Sequence, residues 1–297
     1  MTFNRILIIN KPTGITSFKV TSFIKKKLNI KKVGHIGTLD PLASGVLPIA
    51  VAEGTKIIPF LEDGFKVYRA SLKFGYVSDT YDSDGNVEEY KKNFKISRDN
   101  ILEKLEDFEG EIQQVPPKFS AIKINGKRAY DLARQGKEFE IKKRKVTIHE
   151  IKLENYENVE ATIYIKCSKG TYIRSIANDL GQKLGCGAIL SGLVRLEAYP
   201  FKIEDSIDFN EFEDMGIEEL RLRAMRLSKC LAEYRSIEIS EKEKEEVYRS
   251  GRLNIRVKIE DERQKIKIID EDENLIAIAR QLDSGYLQML RVFNGEN

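Results

Sequence analysis

Apolar residues recur along this chain at two spacings, and the switches between them lay out the elements. Ile6 to Ile9 is an unbroken apolar run, read as a buried strand that ends in the turn Lys11-Pro12-Thr13-Gly14. Thr16 or Ser17 then caps a helix whose apolar face is Val20, Phe23, Ile24 and Leu28, with lysines on the other face. Val46 to Val51 reads as a strand, and Pro48 within it predicts an edge or irregular strand. From Lys66 to Phe74 the period is two: Tyr68, Ala70, Leu72 and Phe74 face one way, Val67, Arg69, Ser71 and Lys73 the other. Ser97 caps a helix carrying Ile101, Leu102, Leu105 and Phe108, stopped by Gly110. Asn125-Gly126 is a hairpin signal, followed by a short helix from Ala129 to Gln135.

Strands are then expected over Val146 to Leu153 and Ala161 to Cys167. A helix follows from Thr171 to Leu184, and a further strand from Ile189 to Tyr199. Past Pro200 acids cluster from Glu204 to Glu219, and a helix is read through Leu220, Met225 and Leu227. Glu233 to Ser240 reads as a linker, and Ser240 with Glu243 as a capping box. Short strands at Ile255 to Ile259, Lys265 to Ile269, Leu275 to Ala279 and Tyr286 to Val292 complete a small β-rich unit. Hairpins outnumber any repeated βαβ pattern, which reads as an α+β class and leaves the strand order open.

One stretch breaks both periods. Gly34-His35-Ile36-Gly37-Thr38-Leu39-Asp40-Pro41-Leu42-Ala43-Ser44-Gly45-Val46-Leu47-Pro48-Ile49 packs three glycines and two prolines into an apolar segment, which is loop chemistry. Its single acid, Asp40, precedes a proline and so sits on extended or turning backbone. Such a carboxylate either ties the turn by accepting backbone N–H bonds or does chemistry. Tyr68 reads as a core tyrosine with a partnered hydroxyl. Arg174 lies near the first turn of its helix, where an acid suits the macrodipole better, and reads either as a snorkelling side chain or as the partner of an anion.

Composition changes the picture little. The 297 residues are 41% hydrophobic and 33% charged, which excludes a disordered chain, and the net charge is only +3. Local clustering says more: Lys19, Lys25, Lys26, Lys27, Lys31 and Lys32 precede the loop, and Lys142, Lys143, Arg144 and Lys145 form a second basic run. These are solvated faces or contacts for a polyanion. Cys167, Cys186 and Cys230 show no paired spacing, which suggests a reducing, cytoplasmic setting. Two histidines are too few for a His-rich metal site. No segment approaches the roughly 20 apolar residues that span a bilayer.

The loop as it stands resembles the signature loop of the TruB family of tRNA pseudouridine synthases. Further stretches resemble the family's motifs in order: Lys11-Pro12-Thr13-Gly14-Ile15-Thr16-Ser17, Tyr68-Arg69, Pro116-Pro117-Lys118-Phe119-Ser120-Ala121, Gly126-Lys127-Arg128-Ala129-Tyr130, and Ser168-Lys169-Gly170-Thr171-Tyr172-Ile173-Arg174. Asn10 departs from an aspartate that the family often carries. The likeness runs over about residues 5–200. The C-terminal part resembles a PUA-like domain in size and strand content only.

The resemblance implies an α+β catalytic domain with a central mixed, mainly antiparallel sheet over 1–235, with an RNA-gripping insert at about 116–152, and a small PUA-like domain over 236–297. It implies isomerisation of the T-loop uridine at position 55 of tRNA to pseudouridine after base flipping, with no cofactor and no metal. Asp40 is then the nucleophile, ionised and dry, held by Arg174. Tyr68 stacks on the uracil and takes the C5 proton. His35 holds the opened T-loop, Leu193 lines the pocket, and Lys11 and Lys56 are read as further substrate-binding residues. The expected partner is the tRNA T-arm, with no membrane and no obligate protein partner. With no segment that reads as an exposed apolar interface, a cytoplasmic monomer is expected. Alternatives are an RNA-binding tRNA chaperone and a guide-RNA-dependent synthase of the dyskerin type. A glycoside hydrolase fits less well, because it usually needs two placed carboxylates.

Overall fold

The computed structural model describes residues 3–61, 64–255 and 265–295. The first strand, β1 (Ile6–Lys11), leads into helix α1 (Ser17–Lys27), capped by the Thr16 hydroxyl, which accepts from the Lys19 amide at 3.1 Å. Next come β2 (Val33–His35) and β3 (Ala43–Val51), a six-residue 3₁₀ helix (Ala52–Ile57), the four-residue helix α2 (Ile58–Leu61) and β4 (Lys66–Phe74). A small ladder of β5 (Tyr76–Ser78) and β6 (Val87–Glu89) precedes α3 (Arg98–Glu106), whose Ser97 and Asn100 form a reciprocal capping box. The strand β7 (Gly110–Gln114) leads to the insert.

There β8 (Lys123–Ile124) and β9 (Lys127–Arg128) close a two-residue hairpin. Asn125 and Gly126 both have positive φ, as a type I′ turn requires. Helix α4 (Ala129–Arg134) follows, then β10 (Arg144–Glu157), β11 (Glu160–Cys167), α5 (Ile173–Lys183) and β12 (Ala188–Ala198). Short β13 (Phe201–Lys202) and β14 (Ile207–Asp208) lead to three brief helices, α6 (Phe209–Asp214), α7 (Ile217–Arg223) and α8 (Leu227–Cys230). The C-terminal part holds β15 (Arg235–Glu238), α9 (Glu241–Ser250), β16 (Lys265–Ile269), β17 (Leu275–Gln281) and β18 (Leu287–Val292).

The large sheet runs in the order β14-β1-β3-β12-β4-β11-β10-β7, with β2 added to β3 and β13 to β12. Two of its pairings, β1 with β14 and β3 with β12, are parallel and the rest antiparallel. The continuous apolar runs of β1 and β3 arise because both faces are covered. Leu7, Ile9, Leu47, Ile49 and Val51 join one core with α1 and α5, through Val20, Ile24, Ile176 and Leu180. Ile6, Ile8, Val46 and Ala50 join a second core with Leu227, Leu275, Ile278 and Phe293. Period-two geometry thus packs the four-stranded β15-β16-β17-β18 sheet against the back of the large one.

Three expectations change. Pro48 is not on an edge, for β3 lies between β1 on one side and β12, then β2, on the other. Its carbonyl accepts from Ile36 on the β2 side, so its missing N–H faces the gap between β12 and β2 and costs no ladder bond. The helix expected through Leu220, Met225 and Leu227 is two helices, because residues 224–226 are extended and Met225 exchanges backbone bonds with Ile6. The expected linker at Glu233 to Ser240 holds β15, parallel to β16. The strand expected at Ile255 to Ile259 lies, beyond its first residue, outside the described residues.

Candidate active site

The site forms where β3, β12 and β4 lie side by side. Their register puts Leu193 beside Ala43 and Ala70, and Arg195 beside Gly45 and Tyr68. Asp40 sits three residues ahead of β3, and Arg174 is the second residue of α5. The loop between β2 and β3 is held from both sides. The Ser17 hydroxyl accepts from the Leu39 amide at 2.9 Å and donates to the Leu39 carbonyl at 3.0 Å. Arg195 donates to the carbonyls of Val46 at 2.7 Å and Gly37 at 3.0 Å. Gly45, at φ 99°, lies so close to β12 that a Cβ would come within 2.8 Å of the Arg195 amide nitrogen.

With the loop tied by Ser17 and Arg195, the Asp40 carboxylate is directed elsewhere. Arg174 Nη2 meets Asp40 Oδ2 at 2.9 Å, and Nη1 meets Asp82 Oδ2 at 3.3 Å. The same nitrogens donate to the carbonyls of Phe119 at 3.1 Å and Thr80 at 3.2 Å. Arg174 is buried rather than snorkelling. Asp82 is buried too, and its Oδ1 accepts from the Thr80 hydroxyl at 2.5 Å and the Asp84 amide at 3.1 Å. Asp40 is not dry: its side chain is 43% exposed.

A cavity of about 1160 Å³ opens over these groups, lined among others by Asp40, Tyr68, Asp82, Arg174, Leu193 and Arg195. Its rim carries Arg134, Arg144, Lys145 and Lys169, so part of the second basic run and the insert converge on it, whereas the lysines of α1 do not line it. Tyr68 is buried, and burial pushes its phenol up to about 12, opposed by the charge and hydrogen bond of Arg195.

The expected site residues divide cleanly. Asp40, Tyr68, Arg174 and Leu193 are brought together in one cavity. His35 sits on β2 one residue from the lining; burial first, then Arg195, lowers its pKa, and its Nδ1 has no hydrogen-bond partner among the described residues. Lys11 is wholly buried and donates to the carbonyls of Pro12 and Ile15, each at 2.8 Å, so it braces the loop's neighbour instead of facing solvent. Lys56 does not reach the cavity: it pairs with Glu53 at 2.5 Å and donates to the Val292 carbonyl of β18 at 3.0 Å. Asp82 and Arg195 were not foreseen. Asp82 hides in an acid-rich turn before Gly85, and the only hint of Arg195 is a charge inside a mostly apolar strand.

The N-terminal domain of the TruB family of pseudouridylate synthases matches residues 25–173. Similar proteins include tRNA pseudouridine synthase B of Clostridium acetobutylicum, 46% identical over 237 residues, covering 80% of this chain and 81% of that protein. The chain belongs to the TruB family. The enzyme of the same name from Clostridium tetani is 41% identical to this TruB pseudouridine synthase over 290 residues, 95% of this chain and 97% of the relative. A Cbf5-Nop10-Gar1 complex contains a chain with the same fold, at TM-score 0.73 and 25% identity, covering 98% of this chain and 85% of that one. An H/ACA RNP bound to a substrate RNA contains another, at TM-score 0.75 and 23% identity, covering 99% and 86%. No helix among the described residues is long and apolar enough to cross a membrane.

Proposed function

We propose that this TruB synthase isomerises the T-loop uridine at position 55 of tRNA, with Asp40 as nucleophile. The observation that carries the reading is the Asp40–Arg174 pair at 2.9 Å on the wall of a cavity rimmed by basic side chains. The relatives at 41% and 46% identity are tRNA pseudouridine synthases B by name, which supports tRNA as the substrate. The likeness to a chain of the Cbf5-Nop10-Gar1 complex is lower, at 25% identity, and supports the guide-dependent reading less.

The target base lies inside a folded T-loop and must be flipped out to meet a side chain. The rim lysines and arginines take up phosphates, which position the RNA without reading its sequence. The flipped uracil enters between Tyr68 and Leu193 and covers Asp40. Attack by the Asp40 carboxylate helps break the N1–C1′ bond, and the base turns so that C5 faces C1′. A C5–C1′ bond forms as the bond to Asp40 breaks and frees its carboxylate, C5 loses its proton through Tyr68, and N1 gains one from water. The sum is an isomerisation, with no electrons gained or lost. Arg174 aims the carboxylate, with its Nη2 2.9 Å from Asp40 Oδ2.

Release of tritium from C5-labelled tRNA transcripts tests the reading. The wild type releases label, a transcript lacking the T-loop uridine does not, and Asp40→Asn releases none while still binding tRNA. Release by Asp40→Asn would exclude this carboxylate, and release from the altered transcript would exclude this site.

A further inference from the structure

Arg195 is a buried cation without an anion. Its side chain is fully covered, yet it sits in no ion pair among the described residues. Its partners are neutral: the carbonyls of Val46 and Gly37, more distantly that of Thr38 at 3.4 Å, and the Tyr68 hydroxyl. Buried charges are ordinarily paired, because an unpaired one in low dielectric is costly. A neutral side chain of the same shape would brace the loop at a lower cost. The retained charge therefore calls for an anion that is absent in the resting protein.

The neighbours narrow down where that anion forms. Tyr68 stands opposite Arg195 on β4 and lines the same cavity. Lys11 on β1 and His35 on β2 feel Arg195 as a like charge. Lys66 at the start of β4 lies near it, for a Cβ on Gly37 would come within 3.3 Å of both side chains. Asp40 and the Cys167 thiol of β11 act on Tyr68 in the opposite direction, opposing its ionisation. Among these groups the Tyr68 oxygen is the one that both contacts the guanidinium and carries a removable proton.

We propose that Arg195 is a positioning residue for Tyr68, holding the phenol oxygen in place and supplying the fixed positive charge against which that oxygen becomes anionic. The inference rests on the role given to Tyr68 above. Its proton balance is closed: the Tyr68 phenol first gives its proton to water in the cavity, leaving a phenolate on Arg195. That phenolate then takes the C5 proton while the C–H electron pair returns to the ring, which restores the phenol.

The test replaces Tyr68 by a fluorinated tyrosine, whose phenol ionises at lower pH, and follows its fluorine resonance against pH in the free protein. It is made with arginine, lysine and glutamine at position 195. We expect Arg195→Gln to move the midpoint up by about one pH unit or more, the size an opposite charge in contact commonly gives, and Arg195→Lys to move it by less than half of that. In the same variants carrying natural Tyr68, single-turnover tritium release near neutral pH falls about tenfold or more for glutamine, its dependence on pH shifts upward, and lysine recovers most of the loss. A midpoint unmoved by glutamine in a folded variant overturns the proposal, as does equal loss of rate for lysine and glutamine with an unchanged pH profile. If glutamine does not fold, lysine decides alone. Failure of the lysine variant to fold also overturns the proposal, since the bracing bonds would then matter and not the charge. The fluorine titration needs no RNA, so it stands even if the wild type proves inactive on tRNA, an outcome that would refute the tRNA reading instead.

Discussion

Arg174→Lys keeps the charge of the site and removes its geometry. Arg174 spreads four contacts over two nitrogens, reaching Asp40 at 2.9 Å, Asp82 at 3.3 Å, and the Phe119 and Thr80 carbonyls at 3.1 and 3.2 Å. An ammonium is a point charge and cannot span both carboxylates. The two compete unequally, because the Asp82 side chain is 5% exposed and that of Asp40 43%. A covered carboxylate without a cation is strongly destabilising, whereas water serves a half-exposed one. The ammonium therefore stays with Asp82, and Asp40 loses its partner. One charge-assisted hydrogen bond is worth about 1.5–3 kcal/mol. If it acts on the nucleophile, the loss appears as a fall of roughly 10- to 150-fold in single-turnover tritium release. The dissociation constant for tRNA moves by less than about threefold, because Arg174 is buried and offers RNA almost no surface. A single-turnover rate within about threefold of the wild type, or a loss found entirely in binding, would refute this account.

Gly45→Ala places a Cβ against the backbone of β12 at a positive φ, so neither neighbour can yield cheaply. The variant should lose about 2–4 kcal/mol of stability in urea unfolding, with the surviving folded fraction impaired at the site that the β3–β12 pairing builds. Lys11 gives a pH signature. Burial lowers its ammonium from 10.5 to about 8, so between those pH values the unfolded chain holds a proton that the folded one has released, and stability rises with pH. Cys167, pushed up to about 11 by burial, pulls the other way above pH 9. The measurement is therefore the difference in urea midpoints between wild type and Lys11→Met, which should widen in favour of the wild type from pH 8 to 10.5. A flat difference would mean that the ammonium is solvated. Asp82→Asn should lower the single-turnover rate about tenfold or more, because it removes the carboxylate that fixes the far side of Arg174; an unchanged rate would mean that Asp40 and the Thr80 and Phe119 carbonyls suffice to hold the guanidinium.

What the sequence disclosed follows from which forces are local. The hairpin at Asn125-Gly126 is legible because two residues need positive φ, and the cap at Ser97 because its partner is three residues away. The two-sided burial of β1 could be read as a strand but not assigned to its covers, since Ile6 and Ile8 meet Leu275, Ile278 and Phe293 far along the chain. Met225 shows the limit. Its helical spacing is real, yet its backbone is taken by Ile6, and tertiary pairing outweighs a weak local preference. At the site, Asp40 and Arg174 were reachable through motifs. Asp82 and Arg195 matter only because folding buries them, one against Arg174 and the other against Tyr68 and the loop carbonyls, and no spacing rule encodes that. Lys56 shows the converse: nothing local tells that Glu53 and the Val292 carbonyl hold it away from the cavity.

The exposure of Asp40 bears on the order of events. A dry carboxylate was expected, and the structure has a half-exposed one beside a buried guanidinium. A fully buried Asp40 would have to be desolvated during folding and would resist ionisation. Left open, it is solvated at rest, and Arg174 is already held by Asp82, Thr80 and Phe119 without help from Asp40. The cation thus stays in place whether or not substrate is present, and only water must leave. In the proposed reaction the flipped uracil displaces that water, so the attraction between Asp40 and Arg174 strengthens as the base arrives, low dielectric magnifying a charge pair that is already aligned. The nucleophile would then be fully activated only beneath a flipped base, which ties the chemistry to the one step that distinguishes an accessible uridine from a stacked one.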